Sequence, residues 1–256
     1  MALLTVVGSS DAFNSAGRAH SCYLLEGDGF GPVMIDFGAT ALQALRRVGR
    51  EPRDLAGVAL THLHGDHIGG LPFLVIDAMY NSPRTAPLDI LGPKGATARV
   101  EKVLEAAYGG VTDKEKDFEL RLREIRPGEH AILCGVTVSG YPADHMDPPE
   151  EPLCLRVRLP GGSIVAFSGD TAMCQGLLDA AEGADILVAE CSALAPPCGK
   201  HTSWEDWRVT LPRVAAKRIV LTHLGHEVRA KQEELKKEAP PEIDLYFADD
   251  GMTFAL

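Results

Sequence analysis

The chain has 256 residues, 45% hydrophobic and 24% charged, proportions of an ordinary globular protein that exclude a disordered or fibrous one. With 25 Lys+Arg against 36 Asp+Glu the net charge is −11, which argues against broad, charge-driven nucleic-acid binding. No apolar run is long enough to cross a bilayer, and the six cysteines show no CxxC pair or regular framework. They read as reduced thiols, and a cytoplasmic location without membrane attachment is the expectation.

The first segment, Met1 to Val7, lacks a basic leader and a long apolar core, so it reads as a strand rather than a signal peptide. Strand-like runs follow at Leu3–Val7, Ser21–Glu26, Val33–Asp36, Gly57–Leu60 and Leu88–Leu91. Later ones are Phe118–Ile125, Ala131–Tyr141, Leu153–Leu159, Ser163–Ser168, Ile186–Ala189, Arg218–Leu221, Leu245–Phe247 and Met252–Ala255. Helical spacing predicts helices over Ala41–Val48, Leu71–Tyr80, Ala96–Ala107, Cys174–Ala181, Trp204–Ala216 and Glu227–Glu238. Each half opens with strands and then alternates strand and helix. Two mixed sheets packed face to face between outer helices fit that order, and so does a doubly wound α/β fold. No linker or repeat divides the chain, so residues 1–256 are expected to form one domain.

Polar residues recur where the apolar runs stop. Asp36 ends one strand, and Thr61-His62-Leu63-His64-Gly65-Asp66-His67-Ile68-Gly69-Gly70 follows another. Asp144-His145, Ser168-Gly169-Asp170-Thr171, Glu190 and Thr222-His223 end three further runs and trail a fourth. Imidazole nitrogen and carboxylate oxygen both suit a borderline cation such as zinc, and ligands at strand ends are held by rigid elements. Taken singly, Asp170 reads equally as a helix cap, and His201 as a loop residue before a helix capped by Thr202 or Ser203.

In that order and spacing, Asp36, the HxHxDH cluster, His145, SGDT and THL resemble the metallo-β-lactamase fold superfamily over almost the whole chain. The resemblance implies a four-layer αββα sandwich and a site for two divalent ions, zinc first, with manganese and iron as alternatives. It places His62, His64 and His145 on one ion, Asp66, His67 and His223 on the second, and Asp170 between them. The run DILVAECS with Glu190, then His201-Thr202-Ser203, resembles the transfer-RNA 3′-processing (tRNase Z), phosphodiesterase and arylsulfatase branch. There Glu190 would support His201, which would assist the leaving oxygen, and Asp66 would orient a metal-bridging hydroxide.

Processing enzymes of that branch commonly carry a Gly-rich basic arm, and this chain has no such insertion. The expected activity is therefore hydrolysis of a small phosphodiester or nucleotide-type substrate. Carboxylic ester, lactone or sulfate ester hydrolysis is the alternative, followed by an armless transfer-RNA endonuclease. Small molecules are the expected partners. A homodimer is the assembly the resemblance allows, with Met79–Tyr80 or the Trp204/Trp207 helix as its apolar surface. Asp147–Pro152, Asn81–Pro87 and residues 109–117 are candidate rim loops.

Overall fold

A computed structural model describes all 256 residues. The first half lays down β1 (Ala2–Gly8), β2 (Cys22–Gly27), β3 (Val33–Ile35), α1 (Ala41–Arg47), β4 (Gly57–Ala59) and α2 (Gly65–Ile68). It continues with α3 (Leu71–Ile76), β5 (Leu88–Pro93), α4 (Ala96–Ala107) and β6 (Leu120–Ile125). The second half adds β7 (His130–Leu133), β8 (Val136–Pro142), β9 (Leu153–Arg158), β10 (Ile164–Phe167), α5 (Gln175–Ala181) and β11 (Ile186–Glu190). It ends with α6 (Trp204–Thr210), β12 (Ile219–Thr222), α7 (His226–Glu238), β13 (Leu245–Phe247) and β14 (Thr253–Ala255).

The strands form two seven-stranded sheets, ordered β14-β1-β2-β3-β4-β5-β6 and β13-β12-β11-β10-β9-β8-β7. Both are mixed, with β3–β6 and β10–β13 running parallel. Side-chain alternation explains the layering. Val33 and Ile35 of β3 enter a core between the sheets, while Met34 enters one under the first-half helices. On β10, Val165 and Phe167 face the other sheet, and Ile164 and Ala166 face α5 and the later helices. Three apolar layers thus separate four structural ones, which is the αββα sandwich rather than a doubly wound sheet. No helix is long and apolar enough to cross a membrane.

The parallel strands send their C-terminal ends to one edge. The segments after β3, β4, β10 and β12 meet there, and so does the one after β8, which runs in the same sense as β10 because each is antiparallel to β9. The run Ala131–Tyr141 is not one strand but a hairpin, because Cys134 and Gly135 both take positive φ. The helix expected over Trp204–Ala216 ends at Thr210, since Pro212 has no N–H to continue it. Trp204 and Trp207 are buried, so that helix offers a partner no tryptophan surface. Asn81–Pro87 is not a rim loop: Arg84 donates to the carbonyls of Leu55, Ala86 and Pro87, at the opposite ends of β4 and β5. Residues 109–117 lead into the start of β6 at that same far edge.

Gly95, before α4, has no side chain to cap the helix, and Glu124 of β6 accepts from Gly95 N at 3.0 Å and Thr97 N at 2.9 Å instead. Partial burial works against this carboxylate, but those amides hold its pKa below the ordinary glutamate value. A depressed folded pKa means stability present at neutral pH and lost as pH falls through the acidic range. Glu124→Ala should cost about 0.5–1 kcal/mol at neutral pH, as loss of a helix cap does. The deficit should shrink in denaturant titrations as pH is lowered through the acidic range and the Glu124 carboxylate takes its proton.

A candidate dinuclear metal centre

The loop after β4 carries most of the cluster, and it is pinned to the loop after β3. Phe37 N donates to His67 O at 2.7 Å and Gly70 N to Phe37 O at 2.9 Å. A Cβ on Gly38 would collide with the Asp66 carbonyl, so only glycine permits this approach. Asp36 itself takes the left-handed conformation, φ 58°, and so does His223, φ 52°. Non-glycine residues rarely sit there, and such strain gathers at functional sites.

His62, His64 and His145 bring their ring nitrogens together as one group, with His64 Nδ1 3.0 Å from His145 Nε2. Asp66, His67, Asp170 and His223 form the second. His67 Nε2 lies 3.3 Å from Asp66 and 3.4 Å from Asp170, and His223 Nε2 lies 3.5 and 3.3 Å from the same two. Asp170 also reaches the first group, 3.8 Å from His62 Nε2 and 3.9 Å from His145 Nε2. All seven residues singled out from the sequence therefore converge, and Asp170 is the one carboxylate shared by both groups. The Nε2 atoms of His62 and His67 are buried with no hydrogen-bond partner. A desolvated ring nitrogen without a partner is costly in a protein and natural in a cation site, so this donor set fits divalent metal ions.

Burial, reinforced by the positive field of His67, pushes the His62 pKa well below that of free histidine and leaves a neutral ring. Burial also opposes charge on His67, but Asp170 and Asp36 outweigh it and hold the pKa well above the ordinary value. His223 behaves alike: burial lowers its pKa, while Asp170 and Asp66 raise it to about 9. Burial would raise the Asp66 pKa, yet the hydrogen bond from His223 and the nearby charge of His67 hold it far below the usual range. Without a cation, protons on His67 and His223 balance the carboxylates.

Glu190, fully buried at the end of β11, is held from every side. Its Oε1 accepts from Thr171 N at 2.6 Å, and its Oε2 from Ser192 Oγ at 2.6 Å and Thr202 N at 3.2 Å. Both oxygens face His201 Nδ1, at 3.0 and 3.2 Å. Burial disfavours charge on His201, but Glu190 and then Asp170 outweigh it and raise the pKa. The helix cap is real as well: Ser203 and Asp206 form a capping box on α6, beside the Glu190–His201 pair rather than in place of it. Asp170 caps nothing, since α5 starts at Gln175 with Cys174 before it.

Three groups orient the clustered rings, and only one of them was marked in the sequence. Asp36 accepts from Thr61 N and Thr61 Oγ1, both at 2.8 Å, and meets His67 Nδ1 at 2.8 Å, which fixes that ring with Nε2 facing Asp66 and Asp170. Ser192 Oγ lies 2.9 Å from His223 Nδ1, and the Lys200 carbonyl 3.0 Å from His145 Nδ1. For Asp36 the strand-end position was a signal. For Ser192 and Lys200 nothing in the sequence was. The loop Asp147–Pro152 does border the site, since Leu153 N donates to Thr61 O at 2.9 Å. Its acids are partly neutralised: Glu150 pairs with Arg99, Glu151 with Lys94, and Asp147 with Lys200.

A family model described as Anti-Pycsar protein Apyc1 matches residues 2–239. The chain belongs to this family. It is 29% identical over 245 residues to the uncharacterized protein Rv1339 of Mycobacterium tuberculosis, covering 94% of this chain and 86% of that one. It is 30% identical over 251 residues to a Ribonuclease Z of Mycobacterium avium, covering 90% and 89% respectively. Among solved structures, the metallo-β-lactamase fold protein YhfI from Bacillus subtilis aligns over 100% of both chains with TM-score 0.78 at 21% identity. Human tRNase Z, short form, aligns over 99% of this chain and 98% of its own with TM-score 0.75 at 19% identity. The fold is therefore the metallo-β-lactamase fold.

With His67 and His223 as ligands, metal uptake would displace the protons on both, and affinity should climb as pH rises. Calorimetric titration with zinc at neutral pH, in buffers of different ionisation enthalpy, should show about one to two protons released per chain. Uptake without proton release would remove His67 and His223 from the ligand set.

Proposed function

We propose that this chain is a dinuclear metal-dependent phosphodiesterase acting on a small phosphodiester or nucleotide-type substrate, with residues 1–256 as one catalytic unit. The observation that carries this reading is the pairing of two ligand groups around Asp170 with a half-buried His201 held by the buried Glu190 at their side. In this reading His62, His64 and His145 hold one ion, Asp66, His67 and His223 the other, and Asp170 both. Zinc is the first choice for this histidine-rich set. Two such ions supply Lewis acidity toward phosphoryl oxygens and lower the pKa of water to about 7.

The chain's own groups do the rest. Asp36, Ser192 and the Lys200 carbonyl fix the His67, His223 and His145 rings before any substrate arrives. Asp66 accepts a hydrogen bond from the attacking water and orients it. Glu190 accepts from His201 Nδ1–H and raises the pKa of the ring, so the protonated ring would present its Nε2–H to the departing alkoxide. An alkoxide is a poor leaving group that profits from such an acid. Carboxylic esters need it less, which favours the diester.

Substrate size follows from what surrounds the site. Between His145 and Asp170 the chain forms only the rim loop, β9 and β10, with no arm to grip a large RNA. The net charge of −11 gives no broad footprint for a polyanion either. The Ribonuclease Z relatives keep the armless endonuclease as the second reading.

Purified protein should turn over bis-p-nitrophenyl phosphate, lose that activity to a chelator, and regain it with zinc or manganese. His201→Ala should lower kcat about 10²-fold or more on a dinucleotide with an alkoxide leaving group, and under about tenfold on the p-nitrophenyl diester, whose leaving group needs no proton. Equal losses on both would make His201 a structural residue. Higher kcat/KM on a lactone or aryl sulfate than on any diester would overturn the phosphodiesterase reading.

A further inference from the structure

The loop between β1 and β2, residues 9–21, lies at the same edge as the His/Asp cluster, because β1 is antiparallel to β2 and β2 to β3. Contacts on two sides fix it there. Leu224 N, one residue past His223, donates to Ser9 O at 3.2 Å, and Ser10 forms backbone bridges with both His20 and Leu224. On the other side, a Cβ on Gly38 would meet the Asp66 carbonyl and, at 2.9 Å, the His20 Cβ. The loop therefore stands on the Asp66 and His223 side of the cluster.

Its tip is clamped. The buried Asp11 carboxylate accepts from Ser10 Oγ and Ser15 N at 3.1 Å, from Phe13 N at 3.2 Å and from Ser15 Oγ at 2.7 Å. Asn14 Nδ2 donates to Arg18 O at 2.9 Å, and Asp250 accepts from Ser9 N at 3.0 Å and Ala19 N at 2.9 Å. Asn14 and Ala16 take left-handed backbone angles, φ 53° and 55°. With Asp36 and His223 they are four of the five non-glycine residues in that region, and all four lie at this edge. On this loop the Phe13 ring is 88% exposed. The other large apolar side chains left open sit on helices, on β7 or at the N-terminus. A clamped loop that holds an aromatic ring in water beside the cluster presents a stacking face.

We propose that Phe13 is a nucleobase platform, its ring stacking on the base of a nucleoside-bearing diester whose phosphate sits at the His/Asp cluster. The proposal rests on the phosphodiesterase reading and narrows its substrate to nucleotides. The seven clustered residues and the Glu190–His201 pair address only the phosphate and its leaving oxygen, so none of them tells a nucleotide from another diester. Asp11 is the positioning residue. Its Oδ1 holds Phe13 N, and its Oδ2 lies 3.8 Å from where a Cβ on Gly225 would stand, two residues past His223. Phe13 is three residues from Ser10, a reach of about 10 Å at most, the order of length between the phosphate and the base of a nucleotide. Stacking accepts any base, because each has a π-face, and a purine offers the larger one.

The test uses the full-length, metal-loaded protein and two diesters with one leaving group, thymidine 5′-(p-nitrophenyl phosphate) and methyl p-nitrophenyl phosphate. The thymidine ester should have the higher kcat/KM, and Phe13→Ala should lower the ratio between the two about tenfold, mostly through KM. Phe13→Trp should restore the ratio, whereas Phe13→Leu, apolar but without a π-face, should not. A second measurement does not depend on turnover: calorimetric titration with adenosine 5′-monophosphate and with ribose 5-phosphate. The nucleotide should bind about tenfold tighter, and Phe13→Ala should erase the difference. If neither diester is hydrolysed while that difference holds, the phosphodiesterase reading fails and the platform stands. Equal affinities for the two monophosphates, or a Phe13→Ala loss shared equally by both diesters, would overturn the proposal. So would a Phe13→Ala variant that changes the sedimenting mass and leaves the ratio alone, which would assign the ring to a contact between copies of the chain.

Discussion

Asp170 is the carboxylate on which the centre depends. It stands within 3.9 Å of ring nitrogens from His62, His67, His145 and His223, on segments that three different strands present. Burial alone would drive its proton on, yet the surrounding histidines hold its pKa well below the ordinary range. An anion buried among imidazoles is tolerable only when positive charge is close, from protons or from a cation. The same balance runs outward through Asp66 and Asp36, each of which meets His67. Removing any one of these carboxylates would leave buried positive charge uncompensated.

The scaffold is arranged to meet that demand. Parallel strands in both sheets deliver their C-terminal ends to one edge, so donors from distant parts of the chain meet without long loops. Two of the delivering residues, Asp36 and His223, sit in left-handed backbone conformations that cost of order 1–3 kcal/mol each. The packed cores on either side of each sheet supply the stability that sustains this strain. Gly38 and Gly176 serve the same end, each allowing a loop or helix to approach a neighbouring carbonyl at a distance no Cβ would permit.

Glu190 joins the His/Asp cluster to the second sheet. Its side chain orders Thr171, Ser192, His201 and Thr202, while its carbonyl accepts from Trp207 Nε1 at 2.7 Å and Thr202 Oγ1 at 2.6 Å. The buried tryptophan of α6 is thus part of the frame that sets the His201 position. That frame explains why the Trp204/Trp207 helix turns inward, where composition alone suggested a surface for a partner.

The sequence by itself determined the succession of strands and helices along the chain, most element positions and the seven convergent His and Asp residues. Period-2 and period-3.6 patterning is local, and the THLHGDH cluster is too dense in titratable groups to be accommodated without a common task. It also marked Glu190 and His201, though not the hydrogen bonds that lock them together. Only the tertiary structure decided which residues orient the clustered rings, because Asp36, Ser192 and the Lys200 carbonyl act through contacts between segments far apart in the chain. The hairpin at Cys134-Gly135 escaped notice since its positive φ values were imposed by sheet twist on a pair unlike the usual turn residues. The rim was settled in the same way. Asp147–Pro152 and Asn81–Pro87 look alike as Pro-rich loops, but strand direction places one beside the cluster and the other at the opposite edge.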